Sequence, residues 1–182
     1  MQHVTIPQDR IGVLIGEGGA TMREIEKRAE VRLDIDSETG AVAVESVGDP
    51  VRGLKGPDIV RAIGRGFAPE EALELLEGDM RMLELVDLDA ATRNRNDLRR
   101  QKGRLIGQDG RTRELMEELT GATVRIYGST LGVIGEPEQV DAVRNAAEMI
   151  LDGAPHGAVY SFLEGRRSEM NEGGMGYHRF PG

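Results

Sequence analysis

The sequence predicts an α+β fold in which one small unit of order β-α-α-β-β-α occurs twice in tandem. Three observations carry that prediction. A shift of 91 residues lays VLIGEGGATMREIE, from Val13, over RLIGQDGRTRELME, from Arg104, without a gap. Each of these segments is preceded by a strand pattern and followed by a hairpin and a helix. The shift matches Gly12/Gly103, Leu14/Leu105, Ile15/Ile106, Gly16/Gly107, Gly19/Gly110, Thr21/Thr112, Glu26/Glu117 and Ile35/Ile126, the mark of a duplicated unit.

In the first copy HVTIP reads as a short strand, QDRIGVLI as a short helix and GEGG as a break. ATMREIEKRAE follows as a helix with Met22, Ile25 and Ala29 on one face. VRLDID alternates, with Val31, Leu33 and Ile35 on one side, and the Glu38-Thr39-Gly40 turn leads into AVAVES. A helix starts near Asp49-Pro50 or near Pro57-Asp58 and ends around Gly64 to Gly66. The second copy repeats the order: MLELVDL as strand, NDLRRQKGRLI as helix, GQDG as break, and RTRELMEELTG as helix with Gly121 as its C-cap. TVRIYG and LGVIGE make the hairpin, and PEQVDAVRNAAEMILDG the last helix, with Pro137 at its start and Gly153 past its end. PEEALELLEG and YSFLEGRR read as further short helices. The organisation expected is a first unit at 1–67, a linking helix at 68–78 and a second unit at 79–152. A helical extension at 153–170 and a disordered tail at 171–182, glycine-bearing and without periodicity, complete it.

Composition removes several function classes. Zero cysteines exclude disulfides, thiolate metal sites and Cys nucleophiles, and His3, His156 and His178 are scattered, so no metal and no cofactor is expected. No run of about 18 apolar residues occurs and the N-terminus lacks the pattern of a signal peptide, so a cytoplasmic protein without membrane attachment is expected. No Ser-His-Asp set stands out, and Asp34 and Asp36 alternate with Val31, Leu33 and Ile35 as solvent-side residues do, so no catalytic residues and no small-molecule substrate are assigned.

The cations are 20 Arg and three Lys (Lys27, Lys55, Lys102) beneath a net charge of −9, an acidic, Lys-poor balance that fits adaptation to high salt. Net acidity argues against a nucleic-acid partner, but its distribution reverses the argument. From Arg93 to Arg113 eight cations (Arg93, Arg95, Arg99, Arg100, Lys102, Arg104, Arg111, Arg113) face Asp97 and Asp109, a local +6 that leaves the rest of the chain at −15.

A glycine at each end of a four-residue break lets the chain reverse while a phosphodiester approaches the backbone, where a Cβ would obstruct it. The helix that follows presents free N–H groups and the positive end of its dipole to an anion. Walker A and Rossmann fingerprints do not fit these loops. The paired LIGxxG segments, each with a strand before and a hairpin plus helix after, resemble the KH RNA-binding module in its type I arrangement, whose GxxG loop clamps four nucleotides. The resemblance implies two tandem type I KH modules. Three Phe and three Tyr leave little for an aromatic stacking platform, whereas Ile15, Ile25, Leu33 and Ile35, with Ile106, Met116, Val124 and Ile126, supply an aliphatic groove and the core behind it.

The candidate RNA contacts in the second copy are Lys102, Gly103, Arg104, Ile106, Gly107, Gln108, Asp109, Gly110, Arg111 and Arg113, with Arg125 on the next strand. In the first copy they are Gly16, Glu17, Gly18, Gly19 and Arg23. Glu17 stands where a phosphate should lie, and residues 8–28 hold four cations against four acids. The second copy is therefore the expected main clamp.

Three longer stretches, IVRAIGRGFAPEEALELLEGD from Ile59, QKGRLIGQDGRTRELME from Gln101 and GAPHGAVYSFLE from Gly153, resemble archaeal two-KH ribosome-assembly proteins, relatives of the eukaryotic Partner-of-Nob family. That resemblance implies binding to the 3′ end region of precursor 16S rRNA and help or restraint for a Nob-type endonuclease. It also implies a link to the α-subunit of initiation factor two. A NusA-like transcription factor, distinguished by a type II order of elements, and a protein-interaction adaptor whose KH folds no longer bind RNA are the alternatives.

Overall fold

The computed structural model describes residues 1–179, with side chains described through residue 173. The chain forms two compact units, Met1–Leu83 and Glu84–Gly182.

In the first unit β1 (Gln2–Thr5) leads into α1 (Gln8–Ile15), the glycine loop and α2 (Ala20–Ala29). The hairpin β2 (Val31–Ile35) and β3 (Ala41–Ser46) follows, then α3 (Pro50–Gly53), α4 (Gly56–Gly64) and α5 (Pro69–Ala72), which continues as a 3₁₀ turn over Leu73–Leu76. The antiparallel sheet has order β1-β3-β2. Its register places Val4 opposite Val42, and both Leu33 and Gln2 opposite Val44. Strand alternation thus turns Val4, Leu33, Val42 and Val44 inward against Leu14, Ile25, Ile59 and Ile63, all buried. Burial of each such side chain contributes roughly 1.5–3 kcal/mol. Both alternative starts of the last helix are used. Asp49 caps α3 by accepting from the Val51 N–H at 2.9 Å, and Pro57 sits in the first turn of α4.

The plan repeats with β4 (Met82–Asp87), which starts two residues before the boundary of the second unit, then α6 (Arg95–Ile106), α7 (Arg111–Thr120), β5 (Thr123–Tyr127), β6 (Thr130–Gly135) and α8 (Pro137–Leu151), in a sheet of order β4-β6-β5. The second unit gathers Leu105, Met116, Val124, Val133, Val143 and Ile150, all fully buried, in its core. It adds α9 (His156–Arg179).

Two boundaries differ from those expected. The linking helix at 68–78 belongs to the first unit, because Ala72, Leu73 and Leu75 are buried there. The extension is part of the second unit, with Val159 and Leu163 inaccessible to solvent. The tail expected to be disordered from residue 171 is helical as far as Arg179. Each residue added to a formed helix gains a hydrogen bond, and no proline interrupts the run before Pro181. Residues 180–182 of that expectation lie outside the described residues.

Candidate nucleic-acid interface

The two glycine loops follow one backbone path. Gly16 has φ 75° and ψ 176°, and Gly107 φ 79° and ψ 169°; Gly18 and Asp109 are left-handed at φ 60° and 55°, and Gly19 and Gly110 at φ 79° and 76°. The opening glycine is required by the chain itself. A Cβ at Gly16 would come to 2.2 Å of Thr21 Oγ1, and a Cβ at Gly107 to 2.2 Å of Thr112 Oγ1. The Gly-Thr match in the repeat is thus a packing pair. This replaces the expectation that an approaching phosphodiester is what excludes a side chain at the opening position.

The repeat's other polar identity has an internal role too. Glu26 accepts from the Leu33 N–H at 3.0 Å, and Glu117 accepts from the Val124 N–H at 2.9 Å. In each copy this carboxylate ties the helix after the loop to the first strand of the hairpin. The sequence signal was there, as an identity outside the loop, without a partner to explain it.

Of the eight aliphatic candidates, Ile25, Leu33, Met116 and Val124 are buried core, whereas Ile15, Ile35, Ile106 and Ile126 are half-buried. The partly open members are therefore the last residue of the helix before each loop and one residue of β2 or β5.

The cations divide more sharply. Arg104 is directed away from solvent: one Nη donates to Ile150 O at 2.6 Å and the other to Ala154 O, so it caps the end of α8. Arg113 and Arg125 converge on Glu117, at 2.7 and 2.9 Å, and both donate to Val124 O. Arg100 pairs with Asp97 at 2.7 Å. These four are engaged within the chain; Arg104, Arg113 and Arg125, three of the expected RNA contacts, therefore already have internal partners. Among the described residues no acid pairs with Arg95, Arg99, Lys102 or Arg111. On α6, positions 95, 99 and 102 fall at i, i+4 and i+7, one stripe that continues to Ile106 at the loop. Gly103 lies beside this stripe, and a Cβ there would meet nothing in the chain. Gln108 and Asp109 are exposed at the tip, and no side chain caps the first turn of α7.

The first copy presents a different surface. Glu17 is exposed at the first variable position of the loop, and Arg23 folds back so that Nη1 donates to Gly18 O at 2.9 Å. Arg10 plays the capping part of Arg104, donating to Ile63 O at 2.8 Å and Phe67 O at 2.9 Å.

Among the described residues no group of three or more His, Asp or Glu side chains is placed to hold a metal ion, and no helix is long and apolar enough to cross a membrane.

Residues 82–168 match the family model of the eukaryotic-type KH domain, KH-domain type I, and residues 1–77 match that of the KH domain. A KH domain-containing protein of Methanocaldococcus jannaschii is 45% identical over 93% of this chain and 75% of its own length. The pre-rRNA-processing protein pno1 of Emericella nidulans is 30% identical over 80% of this chain, which spans 57% of that fungal relative. The a/eIF2alpha-aDim2p-rRNA complex from Pyrococcus horikoshii OT3 contains a chain that superposes with a TM-score of 0.87 at 45% identity. The match covers 92% of this chain and 94% of that one.

Proposed function

Because the chain belongs to the type I KH family, among the archaeal two-KH proteins related to pre-rRNA-processing PNO1, we propose that it binds single-stranded RNA mainly through its second GxxG loop. The RNA is the 3′ end region of precursor 16S rRNA, and the protein presents that strand to a Nob-type endonuclease during small-subunit maturation. The rRNA in the complex of the Pyrococcus relative supports the RNA class, and the kinship with PNO1 supports the process.

The observation that carries the reading is the contrast in free charge between the loops. The second loop is reached by a stripe of three cations on α6, Arg95, Arg99 and Lys102, which spans about 10 Å at 1.5 Å per residue and pairs with no acid among the described residues, and it is followed by Arg111 at the open start of α7. Phosphates along that stripe gain charge-assisted contacts without breaking internal ion pairs. The half-buried Ile106 and Ile126 offer apolar surface to bases, and Gly103 leaves room against the helix.

The first unit fits a protein partner better. Met1, Val51 and Leu54 are 78%, 66% and 69% exposed, and Met1 and Leu54 join Val44, Pro50 and Pro57 around a groove of about 250 Å³. Exposed apolar residues on this scale are a feature of interaction surfaces. The endonuclease or the α-subunit of initiation factor two is the partner assigned to this face.

The test is cleavage of a precursor 16S 3′-end substrate by a purified Nob-type endonuclease, with and without this protein. The expected result is a change in rate or cut site, with no cleavage by this protein alone. Unchanged rate and site, with RNA binding independently confirmed, remove the maturation reading and leave the RNA-binding one.

A further inference from the structure

Helix α9 reaches both sides of the second glycine loop. His156 and Tyr160 are one turn apart on one face of this helix, their rings 6.0 Å from centroid to centroid. His156 Nε2 donates to Arg104 O at 2.9 Å, in the last turn of α6 before the loop. The Tyr160 hydroxyl shares a hydrogen bond of 2.9 Å with Thr112 Oγ1, in the first turn of α7 after it. Thr112 is 1% exposed and is the side chain that packs against Gly107. The helix that carries the pair is itself fixed, by Val159 and Leu163 in the core and by Arg166 donating to Asp141 at 3.1 Å. In the first unit Thr21 packs on Gly16 in the same way, but among the described residues its hydroxyl has no partner of this kind.

We propose that His156 and Tyr160 are positioning residues that hold the two ends of the GQDG loop against one rigid helix face, so that the clamp is formed before RNA arrives. The effect on RNA rests on the clamp reading above; the effect on the loop does not. A loop already in its bound conformation loses less entropy on binding, which appears as a slower off-rate.

The experiment uses the full chain with Tyr160→Phe, which removes one hydroxyl and keeps the ring, and Thr112→Val, with Thr112→Ser retaining the hydroxyl. Amide hydrogen exchange at Gly107 and Gly110, whose N–H groups donate to Gly103 O and Gly107 O, should quicken about threefold to tenfold in the first two variants, the scale of one net hydrogen bond. The amides of β5 should be unaffected, and Thr112→Ser should match the parent. Tyr160→Phe combined with Thr112→Val should add nothing to either alone, because both delete the same bond. The RNA off-rate should rise by a similar factor while the salt dependence of binding stays that of the parent. Loop exchange at the parent rate in Tyr160→Phe overturns the brace, and so does faster exchange with unchanged RNA affinity. A parent chain that binds no RNA, with loop exchange still raised by the variant, supports the brace and defeats the clamp reading instead.

Discussion

In the first unit the glycine loop displays Glu17 while Arg23 is turned back onto the carbonyl of Gly18; in the second, the same backbone path is flanked by Lys102 and Arg111, which pair with no acid among the described residues. The loop geometry is set by a left-handed opening glycine with a threonine packed on it, common to both copies. Under the proposed clamp, affinity for phosphate is set by a separate group of residues. A duplicated loop can thus keep its shape and lose its charge, and shape alone does not identify the copy that binds RNA.

The largest effect that bears on this comparison is expected from Arg104→Ala. If the cations near the second loop acted as one patch, this substitution would weaken RNA binding as others do. The structure assigns it instead a stability loss of about 3 kcal/mol, the upper scale for hydrogen bonds to a charged group, with both Arg104 bonds lost and Ile150 O keeping only backbone N–H donors such as that of Gly153. Urea denaturation measures it, and Arg10→Ala should act alike in the first unit. An unchanged unfolding midpoint contradicts the capping role.

Next in size is Gln108→Asp, which sets two acids at the tip without disturbing the left-handed position held by Asp109. RNA affinity should fall roughly tenfold or more, the scale of a lost charge-assisted contact. Gly18→Asp, which puts a second acid beside Glu17, should change affinity by less than about twofold. Equal losses from the two loops would abolish the asymmetry.

Arg99→Ala, Lys102→Ala and Arg111→Ala should each lower the slope of log affinity against log salt by about 0.7, the single-strand value per phosphate contact. Arg113→Ala, which removes a partner of Glu117, should leave that slope nearly intact.

The smallest effect is acidic. In the first unit Asp36 is held below the usual carboxylate range first by the Glu38 N–H and then by Thr39, at the hairpin turn. In the second Asp97 is held low first by the Arg93 N–H and then by Arg100, at the start of α6. A lowered carboxyl supports the folded state fully above its unfolded value of about 3.9 and loses that support as pH falls through the folded value. Titration below about pH 4 should therefore shift the Glu38 amide resonance in one unit and that of Arg93 in the other. An Arg93 amide that titrates identically in Asp97→Asn would show that Asp97 is not the group responsible.

Much of this molecule is legible in the sequence because it is local. Helix and strand periods, Pro137 and Gly121 at helix ends, and the two GxxG breaks depend on neighbours a few residues apart, and α1 and β3 have the bounds the pattern predicts. The repeat also located the glycine loops, and a charge count singled out the second of them. Tertiary structure alone decided which cations are free. Arg104 finds its acceptors 46 and 50 residues away, and Arg125 shares Glu117 with Arg113 only because β5 lies beside α7. The same holds for Tyr160, 48 residues from Thr112, and for Leu73 and Leu75, which read as a linker and are core of the first unit. A charge or an apolar residue carries no record in its own neighbourhood of a partner brought close by folding. Composition therefore locates a basic segment, while packing determines which of its charges remain available to a ligand.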